Sequence, residues 1–426
     1  MDDARVPVSD LALALAPWVS GPASIEGLSR MSGGASREVW AFDAVGADGS
    51  RSELVLRRDP PGRPAEPVAV HREAQALSLA ASAGLPVPEL LFMSEGPGLG
   101  TAGMVMRRVA GETIARRILR DGPYAPARDV LVGQLGALAA RLHAIPPPEN
   151  FPQPEPLADL QATLATFDDH SPVFDLALEK LTASQPPRRD PVLLHGDLRL
   201  GNVIVGPEGL RAVLDWELTH LGNPAEDLGW LCVKAWRFGA SAPVAGLGSR
   251  EELLAAYRAA GGASLSLDEL GWWELLGTLR WGVICMTQAQ AHLSGANRSV
   301  ELAAIGRRVC EQEWDLLLVL DPQGAARAAV RRPRPAGRGA PGPAPYGRPT
   351  ASELVEAVRE FLTDQVMPGT SGQLAFHARV AANVLGTVAR ELELGPPPPG
   401  HDLADEVAAR LAVANPRYFG PDAAAR

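Results

Sequence analysis

Residues 195–202 have the sequence HGDLRLGN, and the triplet DWE follows at residues 215–217. The segment between these two motifs predicts a strand, a turn and a returning strand, at residues 203–205, 206–209 and 210–214. A hairpin of this length brings Asn202 and Asp215 back to the same level. Two hard oxygen ligands can then converge on one Mg²⁺ ion, which completes its shell with water and phosphate.

Asp197 lies on the loop before this hairpin, where a carboxylate can accept the proton of an attacking hydroxyl. Enzymes that transfer phosphoryl groups place such a base next to a site that binds metal and phosphate. A His-Gly-Asp triplet also occurs by chance, and an Asp after a hairpin is usually a turn or cap residue. Because Asp197, Asn202 and Asp215 occur together at the required spacing, the catalytic interpretation is favoured over coincidence.

The sequences HGDLRLGN and LDWELTHLGNPAEDLGWLC resemble those of the aminoglycoside phosphotransferase family, whose members are relatives of the protein kinases. The resemblance is greatest to the kinase-like domain of certain acyl-CoA dehydrogenase fusion proteins, and it covers residues 20–320. It implies an α+β, protein-kinase-like fold of two lobes, with a small antiparallel-sheet lobe and a larger helical lobe. It also implies an enzyme that uses ATP and Mg²⁺ to phosphorylate a hydroxyl of a small molecule.

The resemblance also assigns roles to the residues of the motif. Asp197 is expected to be the catalytic base, and Asn202 and Asp215 are expected to hold Mg²⁺. Arg199 is expected to neutralise charge on the transferred phosphate, the alternative being a surface arginine on a loop. Asp227 matches the aspartate that braces the catalytic loop of the family.

Residues 28–36 predict a strand end that runs into a Gly/Ser loop, and further strands follow at residues 39–45 and 52–57. The backbone N–H groups of Ser32, Gly33 and Gly34 can lie over the phosphates of a nucleotide. Taken alone, this Gly-Gly pair is equally typical of a plain hairpin turn.

Arg57 occupies the position of the lysine that contacts ATP in the family. The only lysines of the chain are Lys180 and Lys234, so the sheet lobe contains none and departs from the family pattern. Arg57 is expected to contact phosphate instead, with Arg58 on the opposite face of the strand. The alternative is that both arginines are solvated charges on an edge strand.

Glu73, in the first turn of a helix predicted over residues 71–83, matches the family carboxylate that pairs with the strand cation. The alternative is that the helix dipole alone favours an acidic residue at this position. Met106 lies in residues 103–109, which resemble the strand and hinge where adenine hydrogen-bonds to the backbone.

The second lobe is predicted to be helical and to end in one long helix over residues 300–320. Six tryptophans cluster in the sequence downstream of the catalytic loop: Trp216, Trp230, Trp236, Trp272, Trp273 and Trp281. Together they favour an acceptor with an apolar part over a polycationic aminoglycoside, although any single tryptophan is more often a core residue. The acceptor is therefore expected to be a small-molecule hydroxyl, with a hydroxyacyl thioester as one candidate.

The chain is predicted to have four parts: a nucleotide-binding lobe (20–108), a catalytic and acceptor lobe (109–320), a Pro/Gly/Arg-rich linker (321–349) and a helical accessory domain (350–426). The accessory domain resembles an uncharacterised helical domain often appended to such phosphotransferases. It carries no motif for chemistry, so it is expected to serve docking or oligomerisation.

The formal net charge of −10 argues against a nucleic-acid partner, and no segment has the length and apolarity of a membrane span. Three widely spaced cysteines are typical of a reducing cytoplasm. Two alternatives to a metabolic kinase stay open. One is a nucleotide-binding pseudokinase with a regulatory or scaffolding role, favoured by the missing lysine. The other is an antibiotic kinase for aminoglycosides or macrolides.

Overall fold

The computed structural model of this chain describes residues 6–21, 23–31, 37–61, 67–168, 170–333, 349–396 and 402–419. The chain divides into two compact units, Met1–Pro154 with Pro187–Glu274 and Glu155–Pro186 with Leu275–Arg426. Every candidate site residue belongs to the first unit. Ser32, Gly33 and Gly34 lie outside the described residues, so their predicted contact with phosphate stays a prediction.

The described residues form nine strands and fifteen α-helices. The strands are β1 Ser24–Arg30, β2 Glu38–Val45, β3 Arg51–Arg58, β4 Leu90–Ser94, β5 Gly103–Arg107, β6 Val192–Leu194, β7 Val203–Gly206, β8 Gly209–Val213 and β9 His220–Gly222. The helices are α1 Val8–Leu15, α2 Pro67–Ser82, α3 Ala115–Arg120, α4 Ala125–His143, α5 Pro156–Leu164, α6 Pro172–Ala183, α7 Ala225–Cys232, α8 Arg250–Ala259, α9 Leu267–Leu293, α10 Val300–Gly306, α11 Val309–Leu320, α12 Pro322–Arg331, α13 Ala351–Phe361, α14 Gly372–Leu394 and α15 Leu403–Ala414.

The first unit begins with an antiparallel sheet in the strand order β1-β2-β3-β5-β4. Alternation along the strands places Phe42, Leu54, Leu56 and Val105 in one buried cluster beneath the sheet. The predicted sheet lobe is therefore confirmed, although β4 was not predicted. Because β3 has a hydrogen-bonded neighbour on each side, the alternative that its arginines lie on an edge strand is wrong.

The rest of the first unit is mainly helical and is built around α4. Leu131, Leu135, Leu138 and Leu142 recur at helical spacing along α4, and all four are buried in the main core. α4 packs against α8 and β8. The helix α8 begins at a capping box in which Ser249 and Glu252 each bond the other's backbone N–H. An antiparallel sheet followed by a helical region confirms the predicted α+β class.

The second unit contains α5, α6, the last part of α9, and α10 to α15. Within it α11 packs against α6 and α15, and α12 also packs against α15. This division differs from the predicted one, since helices assigned to the catalytic lobe pack here with the C-terminal helices. In the described ranges, no helix has an apolar stretch long enough to cross a membrane.

Two predictions within the second unit are wrong in detail. The long helix predicted over residues 300–320 is broken into α10 and α11, because Arg307 and Arg308 close tight turns onto Ala304 and Ile305 after the weak helix former Gly306. The predicted linker starts with helix α12, since Asp321 caps its first turn by accepting a hydrogen bond from the N–H of Gly324. Residues 334–348 of that segment lie outside the described residues.

Candidate active site

The loop that carries Asp197 follows strand β6, which pairs with β9. This loop is held in place by a buried aspartate from α7, Asp227. The N–H groups of His195 and Gly196 donate to the carboxylate of Asp227 at 2.8 and 2.9 Å, and Asp227 is fully buried. Burial alone would raise the pKa of Asp227, but hydrogen bonding and charge from His143 and His195 lower it below its ordinary value. The predicted bracing role of Asp227 is therefore confirmed.

Gly196 has a positive φ of 80°, which only glycine adopts without strain. A Cβ at this position would also collide with the carbonyl of Leu218. The side chain of His195 packs at 4.8 Å from the ring of Trp216, and its Nε2 lies 2.9 Å from the carbonyl oxygen of Leu214. The first two residues of the motif therefore shape the loop that presents Asp197, the candidate base.

The hairpin β7–β8 brings the two candidate metal ligands together, as its length predicted. Val203 pairs with Val213, and the N–H of Leu214 donates to the carbonyl of Asn202 at 2.8 Å. Asp215 follows directly with φ 68° and ψ 63°, a left-handed conformation that aspartate tolerates better than most residues. This turn ends the strand beside Asn202.

Three side chains donate to the carboxylate of Asp197. Asn202 Nδ2 lies 2.6 Å from Oδ2, and the indole Nε1 of Trp230 lies 2.7 Å from Oδ1. Arg199 Nε lies across both oxygens, at 3.0 and 3.1 Å. The Asp197 side chain is 14% exposed, so these donors hold in place a carboxylate that still reaches solvent.

Arg57 connects the sheet lobe to the hairpin. Its Nη1 lies 2.5 Å from Glu73 on α2, and its Nη2 lies 2.5 Å from Asp215 and 2.8 Å from Glu217. Arg58, on the other face of β3, pairs with Glu38 at 3.0 Å and is fully buried. Both arginines are buried, and β3 is not an edge strand. The alternative that they are solvated charges on an edge strand is therefore wrong in both respects.

Glu73 pairs with the strand cation as the resemblance implied. It lies in the second turn of α2 and not in the first, because this helix starts at Pro67, earlier than predicted. A position this far from the helix end weakens the dipole explanation, since that effect falls off within the first turn. Glu73 also pairs with Arg37, which in turn bonds Asp59 at 3.0 Å.

Arg199 stacks on an aromatic pair beside the base. Its guanidinium lies 4.9 Å from the ring centre of Trp236, and Trp236 lies 5.3 Å from Trp230. Trp216 packs on the loop, while Trp272 and Trp273 form a buried edge-to-face pair. Trp281 belongs to the second unit and stacks with Arg308. Two of the six tryptophans therefore contact the catalytic residues.

Met106 lies in β5, where it pairs with Val55 of β3 and Leu90 of β4. It is half-buried at the end of the sheet, just before the segment that leads to the helical part of the unit. Its predicted contact with adenine stays a prediction.

The donor set around the hairpin suits Mg²⁺. Asn202 uses its amide nitrogen on Asp197 and keeps a carbonyl oxygen, and Asp215 and Glu217 add carboxylates that are 28% and 26% exposed. Oxygen ligands that include two partly exposed carboxylates match a cation that retains several waters. Among the described residues, no group of three or more His, Cys, Asp or Glu is arranged for a metal, so an all-protein cage is not formed there.

Several contacts of this network were missed by the sequence analysis. Trp230 was named only as one of the six tryptophans, and its hydrogen bond to Asp197 was not predicted. Arg37 and Asp59 carried no local signal, because Arg37 meets Asp59 and Glu73 only through the packing of the fold.

Residues 27–270 match the family model described as the phosphotransferase enzyme family, APH, and this match covers more than half of the chain. The chain therefore belongs to the APH phosphotransferase family and has its kinase-like fold. The family is described as one of phosphotransferase enzymes, as the resemblance in the motifs predicted. Residues 368–401 match a domain of unknown function, DUF6285.

Acyl-CoA dehydrogenase family member 11 of Gallus gallus is 30% identical over 298 residues, which are 62% of this chain and 37% of that protein. Member 10 of Mus musculus is 28% identical over 224 residues, 45% of this chain and 19% of that protein. The chain thus spans less than two fifths of the length of these relatives. Among solved structures, the macrolide 2'-phosphotransferase of Brachybacterium faecium superposes with a TM-score of 0.47 at 20% identity, covering 73% of this chain and 98% of that one.

Proposed function

We propose that this chain is an ATP- and Mg²⁺-dependent kinase that transfers the γ-phosphate to a hydroxyl of a small molecule. The observation that carries the proposal is that hydrogen bonds link the candidate base to one candidate metal ligand, and the strand arginine to the other. Asn202 bonds the candidate base Asp197 at 2.6 Å, and Arg57 bonds the candidate metal ligand Asp215 at 2.5 Å. A base, a metal site and a phosphate-binding cation are the parts that phosphoryl transfer requires.

In the proposed reaction, the acceptor oxygen bonds to the γ-phosphorus as the bond to the bridging oxygen breaks. ADP leaves with that electron pair, and the hydroxyl proton passes to the carboxylate of Asp197. Mg²⁺ bound by Asn202 and Asp215 supplies neutralisation of phosphate charge. Arg199 lies next to Asp197 and is 26% exposed, so its guanidinium can turn from the carboxylate to the transferred group.

Arg57 takes the place of the family lysine in this proposal. Its guanidinium has enough donors to keep Glu73 on one nitrogen while the other meets phosphate oxygens. Nucleotide binding then exchanges the contacts to Asp215 and Glu217 for contacts to phosphate. The same exchange releases Asp215 for the metal.

A pseudokinase is the alternative from a different class. It is favoured by the loss of the lysine, whereas Asp197, Asn202 and Asp215 favour the enzyme. The discriminating measurement is slow ATP hydrolysis with water as the acceptor, carried out with and without Mg²⁺. A pseudokinase binds nucleotide without hydrolysing it under either condition.

Asp215→Ala is expected to raise the Mg²⁺ concentration for half-maximal ATP hydrolysis by tenfold or more. Loss of a residue that only hydrogen-bonds to a metal ligand typically costs ~10–100-fold in metal affinity, and Asp215 is itself a ligand in this proposal. The matched control is Asp190→Ala, an exposed aspartate near the start of β6. An unchanged Mg²⁺ dependence in Asp215→Ala, with the control behaving like wild type, would remove Asp215 from the metal site.

We propose an acceptor with a substantial apolar portion, such as a hydroxyacyl thioester. The walls beside the base are aromatic and cationic, with Trp230, Trp236 and Arg199 in contact. Glu274, the nearby acidic residue of α9, is paired with Arg237 and Arg250 at 2.8 and 2.7 Å. Such a surface disfavours a polycation. The names of the acyl-CoA dehydrogenase relatives support an acyl compound.

Hydroxyacyl-CoA species are therefore expected to turn over at least tenfold faster than kanamycin-type aminoglycosides or macrolides, at equal concentration. Apolar burial at about 25 cal/mol per Å² supplies binding energy to an acyl chain that a polar sugar lacks. The measurement is release of ADP across a panel of hydroxyl acceptors. Rapid turnover of an aminoglycoside with inert hydroxyacyl species would favour the antibiotic-kinase alternative.

We further propose a cytoplasmic location and a docking or oligomerisation role for the C-terminal helices. Cys232, Cys285 and Cys310 are buried free thiols, as expected for a reducing compartment. The helix α13 exposes Leu354 and Phe361, each about half exposed, which supports a docking face.

A further inference from the structure

The helix α7 contacts the catalytic loop at two points from one face. Asp227 and Trp230 are three residues apart on this helix, so their side chains leave the same side. Asp227 accepts hydrogen bonds from the backbone of the loop, and Trp230 donates its indole N–H to Oδ1 of Asp197 at 2.7 Å. One helix thus holds both the backbone before the candidate base and the carboxylate of that base.

The three donors on Asp197 are not equivalent. Trp230 and Asn202 each bond one oxygen at short distance, Oδ1 and Oδ2 respectively. The single Nε proton of Arg199 is shared between both oxygens at 3.0 and 3.1 Å. These are the longest of the three sets of contacts, and the Arg199 side chain is 26% exposed. Arg199 is therefore the donor that leaves first when a phosphate competes for it, while the other two keep the carboxylate plane in place.

We propose that Trp230 is the positioning residue of the general base. Its N–H fixes Oδ1, which keeps the carboxylate of Asp197 aimed at the acceptor once Arg199 has turned to the transferred phosphate. This inference rests on the proposed kinase function, because it concerns the base of that reaction. Trp273 provides the contrast within the same unit. Its indole nitrogen is buried and has no hydrogen-bond partner among the described residues, as expected for a purely packing tryptophan.

Trp230→Phe keeps an aromatic ring and removes only the N–H donor. With Mg²⁺-ATP and water as acceptor, kcat is expected to fall about tenfold while KM for ATP stays within about twofold. In an Asp197→Asn background the same Trp230→Phe change should have no further effect on kcat, because the indole N–H acts only through that carboxylate. The matched control Trp273→Phe should leave kcat within about twofold of wild type.

A spectroscopic test is independent of catalysis. Protein labelled with 5-fluorotryptophan should give one fluorine signal for each of the nine tryptophans. The signal lost in Trp230→Phe should move to a new position in Asp197→Asn, whereas the signal lost in Trp273→Phe should stay in place. If Trp230→Phe does not fold, comparison of wild type with Asp197→Asn still decides, since one tryptophan signal should move.

The possible results separate this inference from the proposed function. No tryptophan signal that depends on Asp197, or an unchanged kcat in Trp230→Phe, would overturn the positioning role. A tryptophan signal that depends on Asp197 in a wild type that never hydrolyses ATP would keep the contact and contradict the kinase proposal.

Discussion

Asp197→Asn is expected to lower kcat by at least ~10²-fold, because positioned general bases typically contribute ~10²–10⁴. The variant amide cannot take the hydroxyl proton. It also cannot accept from all its present partners, since its NH₂ group must face either the N–H of Trp230 or the NH₂ of Asn202. The measurement is steady-state phosphorylation of the best acceptor, with ATP affinity determined separately by calorimetry.

ATP affinity should stay within about twofold in Asp197→Asn, because Asp197 has no contact with Arg57 or Asp215 among its hydrogen bonds to described residues. Asp190→Asn serves as the matched control, since Asp190 is exposed just before β6 and belongs to no part of the site. A large loss of ATP binding in Asp197→Asn would mean that this carboxylate serves the nucleotide and not the acceptor.

The hairpin could be predicted from sequence because its determinants are local. The apolar residues of β7 and β8 flank a turn of Gly, Pro and Glu, so the chain must return after a fixed number of residues. The hairpin therefore places Asp215 next to Asn202 independently of how the rest of the chain folds. The role of Asp227 needed the resemblance, since nothing local says that its carboxylate bonds the N–H groups of His195 and Gly196.

The contacts of Arg57 and Trp230 were beyond the sequence for the same physical reason. The hydrogen bond between Arg57 and Asp215 joins residues 158 apart, and it depends on how a sheet and a hairpin pack. The helix α7 is only eight residues long and wholly buried, so it has no polar face to give a helical period. Arg58 can be buried because it pairs with Glu38 on the neighbouring strand. That pairing could not be predicted from the residues next to Arg58 in the sequence.

Arg57→Ala is expected to weaken ATP binding by about 1.5–3 kcal/mol, the range for a hydrogen bond to a charged group. This corresponds to a Kd increase of roughly tenfold to a hundredfold, measurable by calorimetry. The same change removes one of the two arginines on buried Glu73 and should lower the unfolding free energy by about 3 kcal/mol. Arg37 still pairs with Glu73, which keeps this cost at the low end for a broken buried pair.

Arg58→Ala is the matched control for that loss of stability. It leaves Glu38 with the contact to Arg30 at 3.4 Å and the N–H of Trp40 at 3.2 Å, so it should also lower the unfolding free energy by about 3 kcal/mol. Its ATP affinity should equal that of wild type, because Arg58 faces away from Asp215 across the strand. Two variants with equal loss of stability then differ only in nucleotide binding. Equal ATP affinity in both would remove Arg57 from the phosphate site.

Arg57→Lys restores the residue that the family carries at this position. A lysine presents a point charge without the planar fork, so it cannot bond Glu73, Asp215 and Glu217 as the arginine does. It retains the charge that phosphate requires, and its ATP affinity should therefore lie within about tenfold of wild type. Affinity as low as that of Arg57→Ala would show that the fork geometry, and not the positive charge, makes this arginine a substitute for the lysine.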